Sequence, residues 1–519
     1  MAFGTSSSKN VQAEGSEYLK LESPVVATHA ESTLEVQYLT APDDSPSKPT
    51  YVLYVSVALS LLQAFQYGWA TGQVNLKTYN NKHTCSAHPI KEGTCVMFPG
   101  HTTTQWTFLV NAWVVGGMFG SLLSAKPSDR FGRRRTLWFN GIIMIVSGVV
   151  EMTAQNIWQF TAGRFIAGIA SGFATGITGG YIAEISPPHL RSTFGTGFHL
   201  ALTAGVLIVA CTFFFLDTSN GWRYGAAVQL AIGGVFMVLA PLYMVESPAW
   251  LLGKGKQVEA ESEIVRLYGR EQVAKVLGWM QPARKNMSTA LFMSKDIEAA
   301  TTTEPSQGFG VIFDPQYRRQ LVIAIAVSAF HQVSGINAVI FYSSSIFSTA
   351  GIKDPRVGTL IVDIVNCLPT LFFGFVARFF GTRTMLLGGA FAMLVCAVVM
   401  TFTLVYGANG VSVAFTAIYV GAFGVSFGPL VWSVTAELFP LSVRANAVSL
   451  CMAVMWIAKL IVGVGYPYMN EEMGNYSFVP FMGTLAFAFV FMFVFVPETT
   501  NKTIDEIQAE FKALRDRKK

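Results

Sequence analysis

Charged residues are scarce in this chain, and their scarcity excludes most classes of soluble protein. Only 13% of the 519 residues are Asp, Glu, Lys or Arg, whereas 52% are hydrophobic and the mean hydropathy is +0.44. A soluble domain usually carries about 25% charged residues. The composition therefore predicts a protein that lies within a lipid bilayer.

Cysteine is also rare, and no metal-ligand spacing is present, so we predict no metal and no cofactor. Most of the six cysteines fall in apolar runs and are expected to pack there. Cys85 and Cys95 instead share one polar segment, where a loop-closing disulfide and two free thiols are both possible. The net charge of +5 comes from basic residues in loops and gives no support to nucleic-acid binding.

Twelve apolar runs are long enough to cross a bilayer as helices, since about 20 residues span its hydrocarbon core. They lie at 51–73, 104–125, 136–154, 158–182, 195–216, 224–245, 319–348, 357–378, 384–406, 411–436, 445–467 and 478–497. The sequence predicts an all-α membrane protein with six-helix bundles at 51–245 and 319–497. A disordered tail at 1–50, a partly helical linker at 246–318 and a short tail at 498–519 complete it.

Basic residues in short loops predict the orientation, because Lys and Arg are retained on the cytoplasmic side. Arg130, Arg133, Arg134 and Arg135 lie between the second and third runs. If that loop is cytoplasmic, the linker and both tails lie on the same side. We therefore expect both termini to be cytoplasmic.

One nine-residue pattern, Ala-Glu-x-x-Pro-x-x-x-Arg, occurs in each half of the chain. It runs from Ala183 to Arg191 and again from Ala436 to Arg444. Each copy follows one apolar run and opens another, which indicates a duplicated helical bundle and favours a two-bundle transporter. Charges at such helix ends either anchor the helices at the interface or form ion pairs that break when a mouth opens. We favour a gate of several pairs, because one exposed pair contributes only about 0.2–1 kcal/mol.

Several motifs carry a family resemblance. The string Asp129-Arg130-Phe131-Gly132-Arg133-Arg134 resembles the loop signature of the major facilitator superfamily. The segments 163–165, 246–248, 332–337 and 497–499 resemble motifs of its sugar porter family, and 332–347 is similar to facilitative hexose transporters. The resemblance implies transport of a hexose, glucose or a close epimer, by alternating access. The implied partners are a small neutral sugar and the bilayer. We also expect no enzymatic chemistry, a functional monomer and a plasma-membrane location.

The resemblance also implies a sugar site. Hydroxyl-rich rings are bound by side-chain amides and aromatic faces. Gln332, Asn337 and Asn366 match the family's amide positions, and Trp432 and Trp456 match its aromatic positions. His199 and His331 stand where relatives usually have glutamine, and an imidazole likewise offers one donor and one acceptor. We expect both histidines to face the substrate, although hydrogen bonding to an adjacent helix is the alternative.

The gate implied by the repeat and the loop motifs lies at the cytoplasmic helix ends. Its members are Asp129, Arg130, Arg133, Arg134, Arg164, Glu184, Arg191, Glu246, Arg383, Glu437, Arg444 and Glu498. In the second half the loop signature is degraded to the segment 378–383, which keeps only its glycine and last arginine. We therefore expect the gate to depend mainly on the first half.

Energy coupling can be inferred from what the first span lacks. Proton-driven sugar porters carry an aspartate there, and the corresponding residue is Ala70. This favours facilitated diffusion. The alternatives are proton symport through His199, His331 or Asp363, and a non-transporting sugar sensor. Asp363 and Lys459 are intramembrane charges that we expect to form an ion pair. Alternatively Lys459, where relatives usually have asparagine, attracts the carboxylate of a sugar acid.

Overall fold

The computed structural model describes residues 47–79, 85, 95–280, 309–349, 354–377, 379–500, 502 and 504–516. These residues form helices and connecting turns, and they contain no strand. The N-terminal tail before residue 47 and the middle of the linker, 281–308, lie outside the described residues. The all-α fold class predicted from the sequence is confirmed.

The first half contributes six long helices followed by three short ones. The long helices are α1 (Tyr51–Gly72), α2 (Thr103–Phe131), α3 (Arg133–Met152), α4 (Ile157–Ile185), α5 (Pro188–Leu216) and α6 (Gly221–Tyr243). The linker forms α7 (Pro248–Gly253), α8 (Gln257–Tyr268) and α9 (Val273–Met280). Each long helix overlaps one apolar run, so hydropathy located these elements.

The second half contains α10 (Arg318–Val333), α11 (Ile336–Thr349), α12 (Pro355–Val376), α13 (Thr382–Val405), α14 (Asn409–Val425), α15 (Phe427–Glu437), α16 (Leu441–Met473) and α17 (Val479–Phe495), followed by α18 (Ile504–Asp516). Among the described residues, eleven helical spans are long and apolar enough to cross a membrane, and α17 adds a shorter apolar helix.

Two apolar runs that the sequence predicts as single helices are each broken in two. The seventh run breaks at Ser334 and Gly335, where Gly335 adopts a φ of +95° that an L side chain rarely accepts. The tenth run breaks at Ser426, and Gly428 and Pro429 follow two and three residues later. Pro429 has no backbone N–H to continue the helical ladder. Both breaks lie in the second half, and Ser334 and Ser426 at the breaks are buried.

Glycine allows close helix packing inside the first half. A Cβ at Gly116 of α2 would lie 2.0 Å from the carbonyl oxygen of Phe165, and one at Gly168 of α4 would lie 2.1 Å from that of Trp113. Such backbone-to-backbone contact is how membrane helices gain packing without a hydrophobic driving force between them. Helices α2 and α4 therefore form a rigid pair.

The halves meet along two helix pairs, α2 against α16 and α5 against α12. At one end, which we call the linker end, the short helices pack against the first half. There Trp250 donates to the Asp129 carbonyl at 2.9 Å, and the Tyr268 hydroxyl donates to the Ile185 carbonyl at 2.5 Å. The opposite end, where α1 and α5 finish, is called the far end. Residues of α2, α5, α12 and α16 make most of the contact between the halves.

Candidate functional site

The two intramembrane histidines come together across the contact between the halves. His199 of α5 and His331 of α10 are 4% and 6% exposed, and both pack against the Phe423 ring, at centroid distances of 6.3 and 5.0 Å. His199 also touches Gly428, where a Cβ would lie 2.4 Å from its Nε2. No described residue hydrogen-bonds to either ring nitrogen of either histidine. Buried groups of this kind are normally partnered, so these four atoms are available to a ligand.

Trp432 shares this environment, and Asn366 lies against Gly424, the residue after Phe423. Trp432 packs against Phe198 at 5.2 Å and against His331 at 6.5 Å, and its indole N–H has no acceptor among the described residues. Asn366 of α12 is 2% exposed, and its side-chain oxygen likewise has no donor within the described chain. Donors, acceptors and an aromatic face are what recognition of a hydroxylated ring requires.

The predicted amides Gln332 and Asn337 flank the helix break between α10 and α11. The Asn337 side-chain N–H donates to the side-chain oxygen of Gln332, and both residues are at least 95% buried. At the break itself, the Tyr419 hydroxyl donates to the Ser334 carbonyl. The break thus orients an amide pair and fixes its backbone from α14.

Trp456 lies in a separate aromatic cluster. Its ring packs against Tyr67 at 5.6 Å and Trp113 at 5.3 Å, both from the first half. No described contact joins Trp456 to the two histidines. The seven predicted binding residues therefore fall into three sets. Asn366 and Trp432 lie on the side of His199 and His331. Gln332 and Asn337 form an amide pair at the break, and Trp456 lies in the aromatic cluster.

The expected ion pair between Asp363 and Lys459 is absent from the described residues. The Lys459 ammonium instead donates to the Tyr67 hydroxyl at 3.2 Å and is surrounded by aromatic rings. Asp363 lies on α12, and its carboxylate comes within 4 Å of no cation in the described chain. Helical rise placed both charges at similar depth, but depth does not determine which way two helices face.

Arg164 is not part of a gate at the linker end, contrary to the sequence prediction. It precedes Glu184 by 20 residues in α4, which separates the two by about 30 Å along the helix. Its guanidinium, only 1% exposed, donates to the Ala70 carbonyl at 2.6 Å and lies 5.5 Å from the Trp113 ring. The residue therefore belongs to the far half of the bundle.

The first half contains a buried polar network that was not predicted from the sequence. Glu151 of α3 is fully buried and accepts from Gln73 at 2.8 Å, and Gln229 of α6 donates to Gln73 at 2.6 Å and bonds to Gln66 at 3.1 Å. One Glu151 oxygen has no donor among the described residues. Glu151 falls close to the end of an apolar run, a position where a carboxylate usually reaches solvent. Glutamines recurring in apolar helices were the available signal.

At the linker end of the first half, Arg133 forms ion pairs with two of the acidic residues named in the sequence analysis. Arg133 binds Glu184 through two hydrogen bonds of 3.0 Å and contacts Asp129 at 3.2 Å. Glu246 accepts from the backbone N–H groups of Arg133 and Arg134 at 2.7 and 3.1 Å, and so caps the first turn of α3. Burial nevertheless raises the pKa of Glu246 above its usual value, against the effect of these hydrogen bonds.

The second half repeats this cap with fewer ion pairs. Glu498 accepts from the Arg383 N–H at 3.5 Å, at the start of α13, and also binds Thr500. Arg444 donates to the Phe439 carbonyl at 3.3 Å and forms no ion pair among the described residues. No ion pair among the described residues involves Arg191, Glu437 or Arg130, and the Arg130 guanidinium stacks on the Phe131 ring. Burial raises the pKa of Glu437.

Cys85 and Cys95 are joined by a disulfide, with a Cα–Cα distance of 4.9 Å. Both are buried near the far end, where Tyr79 and Met97 lie against them. The bond joins two residues of the segment between α1 and α2. Of the two alternatives left open by the sequence, the structure contains the disulfide.

Two sets of apolar helices, with buried polar groups along the contact between them, define a multi-pass membrane transporter. The sugar (and other) transporter family model matches residues 55–511. The facilitated glucose transporter member 4 of Bos taurus is 30% identical over 92% of this chain and 94% of its own length. Member 1 of Gallus gallus is 31% identical over 90% of this chain and 95% of its own. The chain therefore belongs to the sugar transporter family.

Solved structures support the same fold. A partially occluded, inward-open structure of the xylose transporter XylE from E. coli superimposes with a TM-score of 0.70, at 25% identity, over 88% of this chain and 100% of the other. The proton:xylose symporter XylE bound to 6-bromo-6-deoxy-D-glucose gives a TM-score of 0.71 at 23% identity, covering 89% of this chain and 99% of that one. The predicted major facilitator fold is confirmed.

Proposed function

We propose that this transporter moves a hexose, glucose or a close epimer, through a site between the two halves. The proposal rests mainly on one observation: His199, His331 and Trp432 pack together around Phe423 and Phe198, and their ring nitrogens have no partner among the described residues. These groups are neutral hydrogen-bonding partners suited to sugar hydroxyls. The amides Gln332, Asn337 and Asn366 and the Trp456 ring supply further contacts as the halves close on the sugar.

Transport is facilitative in this proposal. The first-span position that carries an acid in proton-driven sugar porters is Ala70, whose carbonyl accepts from Arg164. The similar proteins of cattle and chicken are named facilitated glucose transporters. Without an acid at that position, a sugar gradient is sufficient to drive net flux.

Proton-coupled symport is the second candidate, because Glu151 introduces a carboxylate near Arg164 from α3. It is fully buried, and one of its oxygens has no donor within the described chain. A carboxyl in this setting can carry a proton across the membrane if its environment differs between the two conformations. The solved symporter XylE shares the fold.

Counterflow and net uptake in proteoliposomes test both proposals. We expect glucose counterflow that continues when a protonophore is added, because no proton gradient drives transport in the facilitative proposal. If net uptake requires a proton gradient, and Glu151→Gln abolishes that uptake while keeping counterflow, symport replaces facilitation. A folded protein with no flux of any hexose would contradict the transport proposal and favour a sugar sensor.

The location and topology are also proposed. We place the protein in the plasma membrane as a functional monomer, with both termini and the linker end in the cytoplasm. The basic loop between α2 and α3, with Arg130, Arg134 and Arg135, supports this orientation. In this proposal, residues 51–245 form one helical bundle and residues 319–497 form the other. Epitope accessibility at each terminus in intact and permeabilised cells tests the orientation.

A further inference from the structure

Lys459 places a buried cation beside the proposed sugar site. Its side chain is 3% exposed, and its ammonium lies 4.5 Å from the Trp113 ring centroid, 5.0 Å from Tyr67 and 5.3 Å from Phe341. The Tyr67 hydroxyl is its one hydrogen-bond partner in the described chain, at 3.2 Å. An ammonium has three donors, so two of them have no acceptor there. Burial without full pairing is costly for a charged group.

The surroundings do not neutralise this charge. Arg164 lies over the same Trp113 ring, at 5.5 Å, so two cations share one indole. No carboxylate of the described residues lies within 4 Å of the Lys459 ammonium. Glu151, the nearby buried acid, is hydrogen-bonded to Gln73 and Gln229 and lies near Arg164, so it offsets only one of the two positive charges. The aromatic cluster therefore has an excess of positive charge that an anion would balance.

Helix geometry links this cation to the sugar-binding groups. Lys459 follows Trp456 by three residues on α16, and Phe341 follows Asn337 by four residues on α11. Residues three or four apart share one helix face. Phe341 contacts the ammonium, and Asn337 bonds to Gln332, so the amide pair lies about one turn of α11 from the ring that contacts the cation. A sugar held by the amides and by Trp456 would present one edge to Lys459.

We infer that the site also takes hexoses that carry a carboxylate, such as hexuronates, and that Lys459 binds the carboxylate. The ammonium donates to one carboxylate oxygen, and the Tyr67 hydroxyl, which already accepts from Lys459, donates to the other. Charge-assisted hydrogen bonds of this kind are about twice as strong as neutral ones. The inference rests on the proposed sugar transport and extends its substrate class to sugar acids.

Uptake of labelled D-glucuronate and D-glucose by the purified full-length protein in proteoliposomes tests this inference. We expect saturable glucuronate uptake that an inside-positive potential accelerates, because the substrate carries one negative charge. In Lys459→Asn, the ratio of the glucuronate KM to the glucose KM should rise at least about tenfold, as expected when a desolvated carboxylate loses its cation. In Lys459→Arg, which keeps the charge, that ratio should stay within about threefold.

The control is Lys256→Asn, which removes an exposed lysine of the linker that pairs with Glu259. It should leave the ratio unchanged. Glucose flux without glucuronate flux or competition would overturn the inference and leave the proposed hexose transport intact. Glucuronate flux whose KM ratio is the same in Lys459→Asn as in the wild type would also overturn it. A folded protein that moves neither sugar would overturn both.

Discussion

Individual residues show where the sequence was informative and where it was not. Residue types that are rare in a membrane marked positions worth attention, and His199, His331 and Lys459 are all buried. Their partners were not predictable, because pairing depends on how helices rotate about their axes. Asp363 and Lys459 lie at similar depth yet do not pair, and Arg164 contacts a backbone carbonyl in place of an acid.

The two buried histidines should act as hydrogen-bonding groups toward the sugar. We expect His331→Ala to raise the glucose KM about five- to tenfold, because each lost hydrogen bond costs about 1 kcal/mol. His331→Gln keeps one donor and one acceptor and should stay within about threefold of the wild type. Initial uptake rates over a range of glucose concentrations measure this.

His189 provides the matched control, because it is exposed at the start of α5. His189→Ala should leave the KM as it is in the wild type. An equal KM for His331→Ala and the wild type would show that this histidine has only a packing role.

The two helix-capping glutamates should respond to pH in opposite ways. Burial raises the pKa of Glu246, so its contribution to stability is present at low pH and is lost as the pH rises through the folded-state value. For Glu498, burial is outweighed by hydrogen bonds from Thr500 and Arg383, and its pKa is lowered. Its contribution is therefore present above the unfolded-state pKa and is lost as the pH falls through the folded-state value.

We accordingly expect Glu498→Gln to lower the free energy of unfolding by about 1 kcal/mol near pH 7.5, with the difference shrinking toward pH 4. Glu246→Gln should cost less near pH 7.5, since the wild-type carboxylate there already carries the penalty of burial. Thermal unfolding in detergent, followed by tryptophan fluorescence at both pH values, measures the two variants. The same loss for Glu498→Gln at both pH values would contradict this assignment.

At the scale of helices, hydropathy predicted existence and approximate bounds well, because the bilayer requires each span to be long and apolar. It did not predict the breaks in the seventh and tenth runs, since Gly335 and Ser426 interrupt backbone geometry without interrupting hydrophobicity. Both breaks lie close to candidate site residues. Interrupted membrane helices commonly mark the place where a transporter binds its substrate.

The break at Gly335 should tolerate no side chain. In Gly335→Ala the new Cβ would meet the Phe481 ring at 2.8 Å and the Tyr419 hydroxyl at 3.0 Å, at a φ of +95°. Strain of this kind costs about 1–3 kcal/mol, and the amide pair beside it would shift. We expect a lower unfolding temperature and a loss of glucose uptake greater than about tenfold.

Gly388→Ala is the comparison within the same half. Gly388 lies inside α13, and a Cβ there would meet nothing within 4 Å. Alanine should stabilise this helix by about 0.5–1 kcal/mol. Wild-type uptake by Gly335→Ala would mean that the break needs no glycine.

At the scale of the whole molecule, the sequence predicted two bundles but not the end at which they are joined. Among the described residues, the hydrogen bonds and ion pairs between the outer helix ends of the two halves lie at the far end. Asn75 donates to the Ile340 carbonyl at 2.6 Å and to Ser343 at 2.8 Å, and Arg356 binds Asp217 at 3.2 Å. The Arg133–Glu184 pair at the linker end lies within one half. The structure is thus held closed at the far end.

The pair between Arg356 and Asp217 should bias the choice between the two open states. We expect Asp217→Asn to open the far end more often, by about 1.4-fold to fivefold, because a partly exposed ion pair contributes roughly 0.2–1 kcal/mol. The labelling rate of Ser343→Cys by a membrane-impermeant maleimide, in a background without the four free cysteines, measures this opening. The double variant Asp217→Arg/Arg356→Asp should restore slow labelling if the charges attract each other across the halves.

Asp354 also binds Arg356, at 2.9 Å, so Asp354→Asn serves as the comparison variant. Since Asp354 precedes α12 in the same half as Arg356, its loss should open the far end less than the loss of Asp217. Equal labelling rates in Asp217→Asn and the wild type would show that Asn75 and the aromatic cluster close this end without the ion pair.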